Sequence, residues 1–290
     1  MKQLYQKETT ILEVIDDPVF DGYGRLLFPV DGRYYQGNTL GNLQLTWYNN
    51  IDSDKTVEIV NYLKTQVLNG ERIFYDIYSE EEKKKDPRKK DTGLFYFKGK
   101  PGKRFAICNA GGGFAYVGAM HDSFPHALGL SKKGDHAFAL IYRPGARTAC
   151  EDLARAISFV FKYAKELQIN TSSYSLWGGS AGARIAAYLG SYGPTYFLGN
   201  ELPRPKAIIM QYTGHDEYFK HDPATFVCVG KNDGIVSWYT MRNRIQAMEK
   251  LAIDTEFHAY EGLRHGFGLG KGTIAEGWIN QAISFWEKQM

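Results

Sequence analysis

Residues 176–183 read LWGGSAGA, one hydroxyl, Ser180, set among Gly178, Gly179, Ala181 and Gly182. The run before it, SSYSLWG (172–178), has the composition of a buried strand, and SAGARIAAYLGS (180–191) has apolar residues at helical spacing. A turn from strand to helix this abrupt holds its central residue at unfavourable backbone angles and leaves no room for bulk two positions to either side. Gly178 and Gly182 occupy those two positions, completing the pattern G-x-S-x-G. A helix beginning here also directs the positive end of its dipole at the serine hydroxyl. A tight turn that merely contains a serine would read the same in isolation, so the surrounding sequence has to decide.

Working outward, seven further strand-like runs appear: RIFYDIYS (72–79), GLFYFKG (93–99), RFAICNA (104–110), HAFALIYR (136–143), PKAIIMQY (205–212), ATFVCVG (224–230) and DTEFHAYE (254–261). Helical periodicity marks residues 52–68, 150–167, 180–191, 237–251 and 273–289, and a further helix is expected after the glycine-rich turn at 111–113. Strands alternating with helices of this length require crossover connections. The expected architecture is therefore α/β, a mostly parallel eight-stranded sheet with helices on both faces. EEEKKKDPRKKD (80–91) reads as a solvated loop and not a binding patch. The first fifty residues are rich in Gly, Asp and Asn turn signals. The expected organisation is an N-terminal extension or cap over 1–70 and a single catalytic domain over 71–290.

In an open parallel sheet, ligands bind beyond the carboxyl ends of the strands. Four such positions carry chemistry. Ser180 follows the strand at 172–178. Gly111-Gly112-Gly113-Phe114 follows the strand at 104–110; consecutive glycines let backbone N–H groups face a cavity. The amides of Gly112 and Gly113, with that of Ala181, could hold an oxyanion. A phosphate loop would need Lys and Ser/Thr directly after the glycines, and AGGGFAYVG has neither; the G-x-G-x-x-G spacing of a dinucleotide loop is also missing. Asp233 follows the strand at 224–230, where it can orient a histidine, although a turn aspartate is the simpler reading of it alone. His265 is the only histidine beyond the last predicted strand and could exchange a proton with Ser180. His215 and His221 each neighbour an aspartate, and both precede Asp233. His121 and His126 are five residues apart, on different faces of a helix, a poor metal pair. Phe114, Tyr116, Tyr142 and Trp238 follow strands or the glycine loop and are candidate pocket walls, with plain packing the alternative for each.

Composition sets the boundaries. The chain of 290 residues has a net charge of +3 with both signs interspersed, which gives no reason to invoke nucleic acid or an anionic membrane surface. No apolar run is long enough to span a bilayer, and the N-terminus lacks the apolar core of a secretory signal, so a cytoplasmic location is expected. Cys108, Cys150 and Cys228 are too widely spaced to suggest a disulfide framework or a zinc site, and no metal or organic cofactor is expected.

NAGGGF, LWGGSAGA, VGKNDGIV and EGLRHGFG, in that order, resemble the esterase/lipase superfamily of α/β-hydrolases from about Arg72 to the C-terminus. The resemblance implies the α/β-hydrolase fold, with Ser180 as nucleophile, Asp233 as acid, His265 as base, and Gly112, Gly113 and Ala181 as oxyanion donors. Hormone-sensitive-lipase-like members carry His before the three glycines, where this chain has Ala110. The glycine run followed by an aromatic is similar to acetyl-esterase and acetylxylan-esterase-like enzymes. The function implied is hydrolysis of short-chain, acetyl-type esters, including acetylated sugars, by way of an acyl-enzyme. The partner expected is a small-molecule ester. A serine peptidase or amidase, a lactone hydrolase, an arylformamidase and a non-catalytic ligand-binding relative share the same pattern. The oligomeric state, a homo-oligomer included, stays open.

Overall fold

The structure is a computed structural model and describes residues 4–48 and 51–290; residues 1–3 and 49–50, part of the expected N-terminal extension, lie outside the described residues. All eight predicted strands are present: β1 (Phe74–Asp76), β2 (Gly93–Phe97), β3 (Phe105–Asn109), β4 (His136–Ile141), β5 (Ser175–Gly179), β6 (Ala207–Gln211), β7 (Ala224–Gly230) and β8 (Thr255–Tyr260). Among the described residues they form one sheet in the order β8-β7-β6-β5-β3-β4-β2-β1. From β4 through β8 the neighbours run parallel, while β2 is antiparallel to both β4 and β1. β3 to β6 are buried along their whole length, as a sheet covered on both faces demands. β8, at the open edge, is only half-buried throughout.

The larger helices are α1 (Ser53–Leu68), α2 (Phe124–Lys133), α3 (Ala146–Tyr163), α4 (Ala181–Tyr192), α5 (Trp238–Lys250) and α6 (Trp278–Glu287). Two helix starts shift from expectation because glycines set them. α3 begins four residues early, on Gly145 at φ 106°, and α6 begins late, on Gly277 at φ 91°. The charge run at 80–91 is not a loop. Ser79 and Glu82 form a capping box, and Glu80–Lys85 is a helix with its acids in the first turn and its lysines in the last, the arrangement the helix dipole favours. Pro87–Asp91 continues as a 3₁₀ turn. Most of the run stays exposed, and Lys83 is buried.

The N-terminal segment carries a short capped helix, Ile11–Ile15, and a two-residue antiparallel pair, Tyr35–Gln36 with Gln44–Leu45. Its Ile11, Val14, Phe20, Leu26 and Leu27 belong to the same hydrophobic core as the sheet. Between β6 and β7 the chain returns through only the residues from Tyr212 to Pro223, with no inserted element.

Candidate active site

After β3 the chain moves to β4 on one side, and after β5 it moves to β6 on the other, so the strand order reverses between β3 and β5. A crevice opens where two connections diverge in this way. The two segments that leave it are the glycine loop after β3 and the turn at Ser180 after β5. Ser180 sits at φ 51°, ψ −118°, a conformation rare for a residue with a side chain, and its N–H donates to Gln211 O at 2.9 Å. The flanking glycines are sterically required. A Cβ on Gly178 would lie 2.3 Å from the Gly182 carbonyl carbon and oxygen, and one on Gly182 would lie 2.0 Å from Asn109 O. The helix therefore starts in van der Waals contact with the ends of β5 and β3.

The loops after β7 and β8 bring the two other predicted residues to this serine. His265 Nδ1 lies 2.7 Å from Asp233 Oδ2, and His265 Nε2 lies 3.0 Å from Ser180 Oγ. With Nδ1–H donating to the aspartate, Nε2 accepts from the serine hydroxyl. Asp233 is fixed in turn by Oδ1, which accepts from the N–H groups of Ile235 (2.8 Å) and Val236 (3.0 Å). The histidine loop is clamped from behind: His121 Nε2 contacts Gly266 O at 2.8 Å, while Gln211 Nε2 and Trp278 Nε1 donate to Gly268 O. His265 is buried, and so is the Asp233 carboxylate.

The glycine loop is a compact turn with Gly112 at φ 125° and Gly113 at φ 61°. Gly112 O accepts from Ala115 and Tyr116 N–H, Gly111 O accepts from Gly118 N–H, and Gly111 N–H donates to Asp122 Oδ2 at 2.6 Å. Among the described residues the amides of Gly112, Gly113 and Ala181 take part in no hydrogen bond. These are the three donors expected from the sequence.

The predicted wall residues divide. Phe114 is half-buried at φ 60°, and its carbonyl accepts from Gly145 N–H. Tyr142 is 1% exposed and donates through its hydroxyl to Ala110 O at 2.7 Å, supporting the glycine loop from beneath. Tyr116 is also buried, stacked on Tyr34 with ring centroids 4.7 Å apart. Tyr116 and Tyr142 do line a cavity of about 260 Å³ with Leu26, Phe28 and Val30, but Ser180, Asp233 and His265 do not border it. Trp238 stacks on Tyr239 and lies under Lys231 and Arg242.

Three residues at the site had no signal in the sequence. Trp47 lies at φ 69° with half its surface exposed, its ring edge 2.9 Å from where a Cβ on Gly113 would stand. Tyr48 and Asp122 meet behind the glycine loop, the hydroxyl donating to Oδ2 at 3.0 Å. The other histidines have structural surroundings: His221 contacts Ser191 O, and Tyr188 packs edge-on to His215. Burial holds His126 neutral, its pKa pulled down to about 4. The three cysteines are buried free thiols. Among the described residues no group of three His, Cys, Asp or Glu side chains is placed to hold a metal ion, and no helix is long and apolar enough to cross a membrane.

Residues 142–208 match the BD-FAE family model. No curated protein matches the chain. Among solved structures, the chain is similar to Thermogutta terrifontis esterase 2 phosphorylated by paraoxon, at 23% identity and a TM-score of 0.60, over 68% of this chain and 89% of that one. The propionate-bound form of a thermophilic esterase from the same species aligns at 21% identity and a TM-score of 0.61, over 74% and 93%. MGS-M1, an alpha/beta hydrolase from a Medee basin deep-sea metagenome library, aligns at 22% identity and a TM-score of 0.57, over 68% and 92%. At this level of identity the likeness establishes the fold, and the chain has the α/β-hydrolase fold expected from its motifs.

Proposed function

We propose that the protein is a serine carboxylesterase that hydrolyses short-chain esters, acetyl esters first among them and acetylated sugars included. The observation that carries this reading is the continuous relay from Asp233 through His265 to a Ser180 held at φ 51°, together with the amides of Gly112, Gly113 and Ala181, which no group among the described residues uses. Ser180 Oγ attacks the ester carbonyl carbon as its proton passes to His265 Nε2. The negative charge that develops on the carbonyl oxygen is held by the amides of Gly112, Gly113 and Ala181. His265 then protonates the departing alcohol, leaving an acyl-serine. Water, activated by the same imidazole, hydrolyses it and restores the serine. Asp233 keeps the imidazole in the tautomer that accepts at Nε2 and stabilises the imidazolium.

The preference for a small acyl group rests on Trp47, whose ring stands against Gly113, and on Phe114, the bulky residue that follows it in the glycine loop. The N-terminal segment, which carries Trp47, thus serves as a partial cap. The test is hydrolysis of p-nitrophenyl acetate, butyrate and octanoate by the wild type and by Ser180→Ala. Turnover fastest on acetate and lowered at least 10³-fold in Ser180→Ala is the expected result. Undiminished turnover in Ser180→Ala refutes the assignment of the nucleophile, and a profile rising toward octanoate refutes the acyl preference. Widening the site by Trp47→Ala raises the octanoate-to-acetate ratio.

A further inference from the structure

Asp122 is fully buried, and among the described residues no Lys or Arg pairs with it. A bare carboxylate at such a depth is costly unless hydrogen bonds replace its water. Three donors do so. Oδ2 accepts from Gly111 N–H at 2.6 Å and from the Tyr48 hydroxyl at 3.0 Å, and Oδ1 accepts from the Tyr212 hydroxyl. Both phenols are raised well above their ordinary pKa, by burial first and by the Asp122 charge next, so they remain protonated donors. The carboxylate also presses on the turn that carries the serine, since a Cβ on Gly179 would lie 2.3 Å from its Oδ1. It therefore touches the glycine loop, the strand before Ser180, the strand-end residue Tyr212 and the N-terminal segment together.

From this juxtaposition we infer that Asp122 is the positioning residue of the oxyanion loop, and that Tyr48 makes the N-terminal segment part of the same device. By drawing the Gly111 amide inward, the carboxylate fixes the peptide plane from which the chain turns through Gly112 and Gly113, leaving their two amides for the substrate oxygen. Its absence lets Gly111 rotate and takes those donors out of register. The assignment rests on the serine-esterase reading for its kinetic part, and the loop geometry tests it separately.

The experiment compares Asp122→Ala, Asp122→Asn and Tyr48→Phe with the wild type in p-nitrophenyl acetate kinetics and in hydrogen–deuterium exchange of the peptide spanning 110–118. Asn keeps an acceptor for Gly111, and Ala removes it. The expected result for Asp122→Ala is a kcat lowered about 10²–10³-fold, the effect of losing an oxyanion donor, with KM within a few-fold. Faster exchange in 110–118 accompanies it. Asp122→Asn recovers most of both, and Tyr48→Phe gives a smaller change in the same direction. If Asp122→Ala does not fold, the ordering of Asp122→Asn and Tyr48→Phe against the wild type carries the test. Wild-type exchange across 110–118 in the folded variants overturns the assignment, as does a kcat that falls only in proportion to the folded fraction. A Ser180→Ala protein that still turns over substrate refutes the esterase reading instead, and the exchange data then judge Asp122 alone.

Discussion

Gly182→Ala adds a single methyl group at the contact between α4 and the end of β3. Its Cβ would stand 2.0 Å from Asn109 O, 2.5 Å from Asn109 C and 2.6 Å from Ala110 O, where ordinary contact begins at 3.4 Å. The deepest overlap is thus about 1.4 Å. All three opposing atoms are backbone, so no side chain can swing aside. Either α4 backs away from β3 or the segment leading into the glycine loop moves. Both separate the Ala181 amide from those of Gly112 and Gly113 by roughly 1 Å. A misplacement of that size costs on the order of 10²-fold in rate, and overpacking costs about 1–3 kcal/mol of stability. The assay pairs kcat on p-nitrophenyl acetate with urea denaturation. Gly32→Ala serves as the control, since only Tyr35 Cε1 at 3.9 Å faces its Cβ and its backbone is unstrained. A Gly182→Ala protein with kcat within threefold of wild type and stability within about 0.5 kcal/mol would refute the reasoning that close backbone approach holds the site together.

Other perturbations follow from the same geometry. Asp233→Asn keeps the shape of the turn but removes the acceptor for His265 Nδ1–H, and steady-state kinetics should show kcat lowered about 10³–10⁴-fold with little change in KM. Asp152 is fully buried and takes Arg143 in a bidentate pair, with the Tyr78 hydroxyl as a further donor. Asp152→Ala leaves the guanidinium with Asp86 (2.7 Å) as its close carboxylate partner and takes the acceptor from the Tyr78 hydroxyl and the Arg143 N–H, and urea denaturation should record a loss of about 3 kcal/mol. His126 titrates at about 4 in the fold, because burial disfavours its cation, against 6.5 in the unfolded chain. Above pH 6.5 both states are neutral. As the pH falls from 6.5 toward 4 only the unfolded chain gains this proton, so stability drops by up to about 3 kcal/mol from this residue. Urea midpoints at pH 7 and pH 4.5 for wild type and His126→Leu should show the smaller acid loss in the variant.

The sheet was legible because its strands are short runs of apolar residues, AIIM and FVCV among them, bounded by turns and separated by helices of crossover length. The three residues of the relay were legible for a topological reason. Each follows a strand directly, and a parallel sheet collects such positions at one end. Tyr142 occupies a position of the same kind, yet its side chain turns under the glycine loop. Position after a strand indicates nearness to the crevice and leaves the direction of the side chain undetermined. Tyr48 and Asp122 were illegible because their meaning lies in a contact between residues 74 apart, from an irregular stretch and a four-residue helix with no periodicity to read. The charge run at 80–91 was misread because overall polarity was weighed above the order of its signs, which suits a helix.

Tyr48 and Trp47 lie far ahead of the glycine loop in sequence, whereas His265 and its buttress Trp278 lie far beyond the serine turn. A chain made from its N-terminus onward therefore holds the serine turn and the glycine loop long before it holds the imidazole that would engage them. On the proposed esterase reading, a chain cut before His265 would be inert, because it lacks the imidazole that engages Ser180. Long-range contacts of this kind form late in folding. On that reading the appearance of turnover would report the meeting of segments far apart in sequence, and a simple chromogenic ester would serve as a clock for refolding.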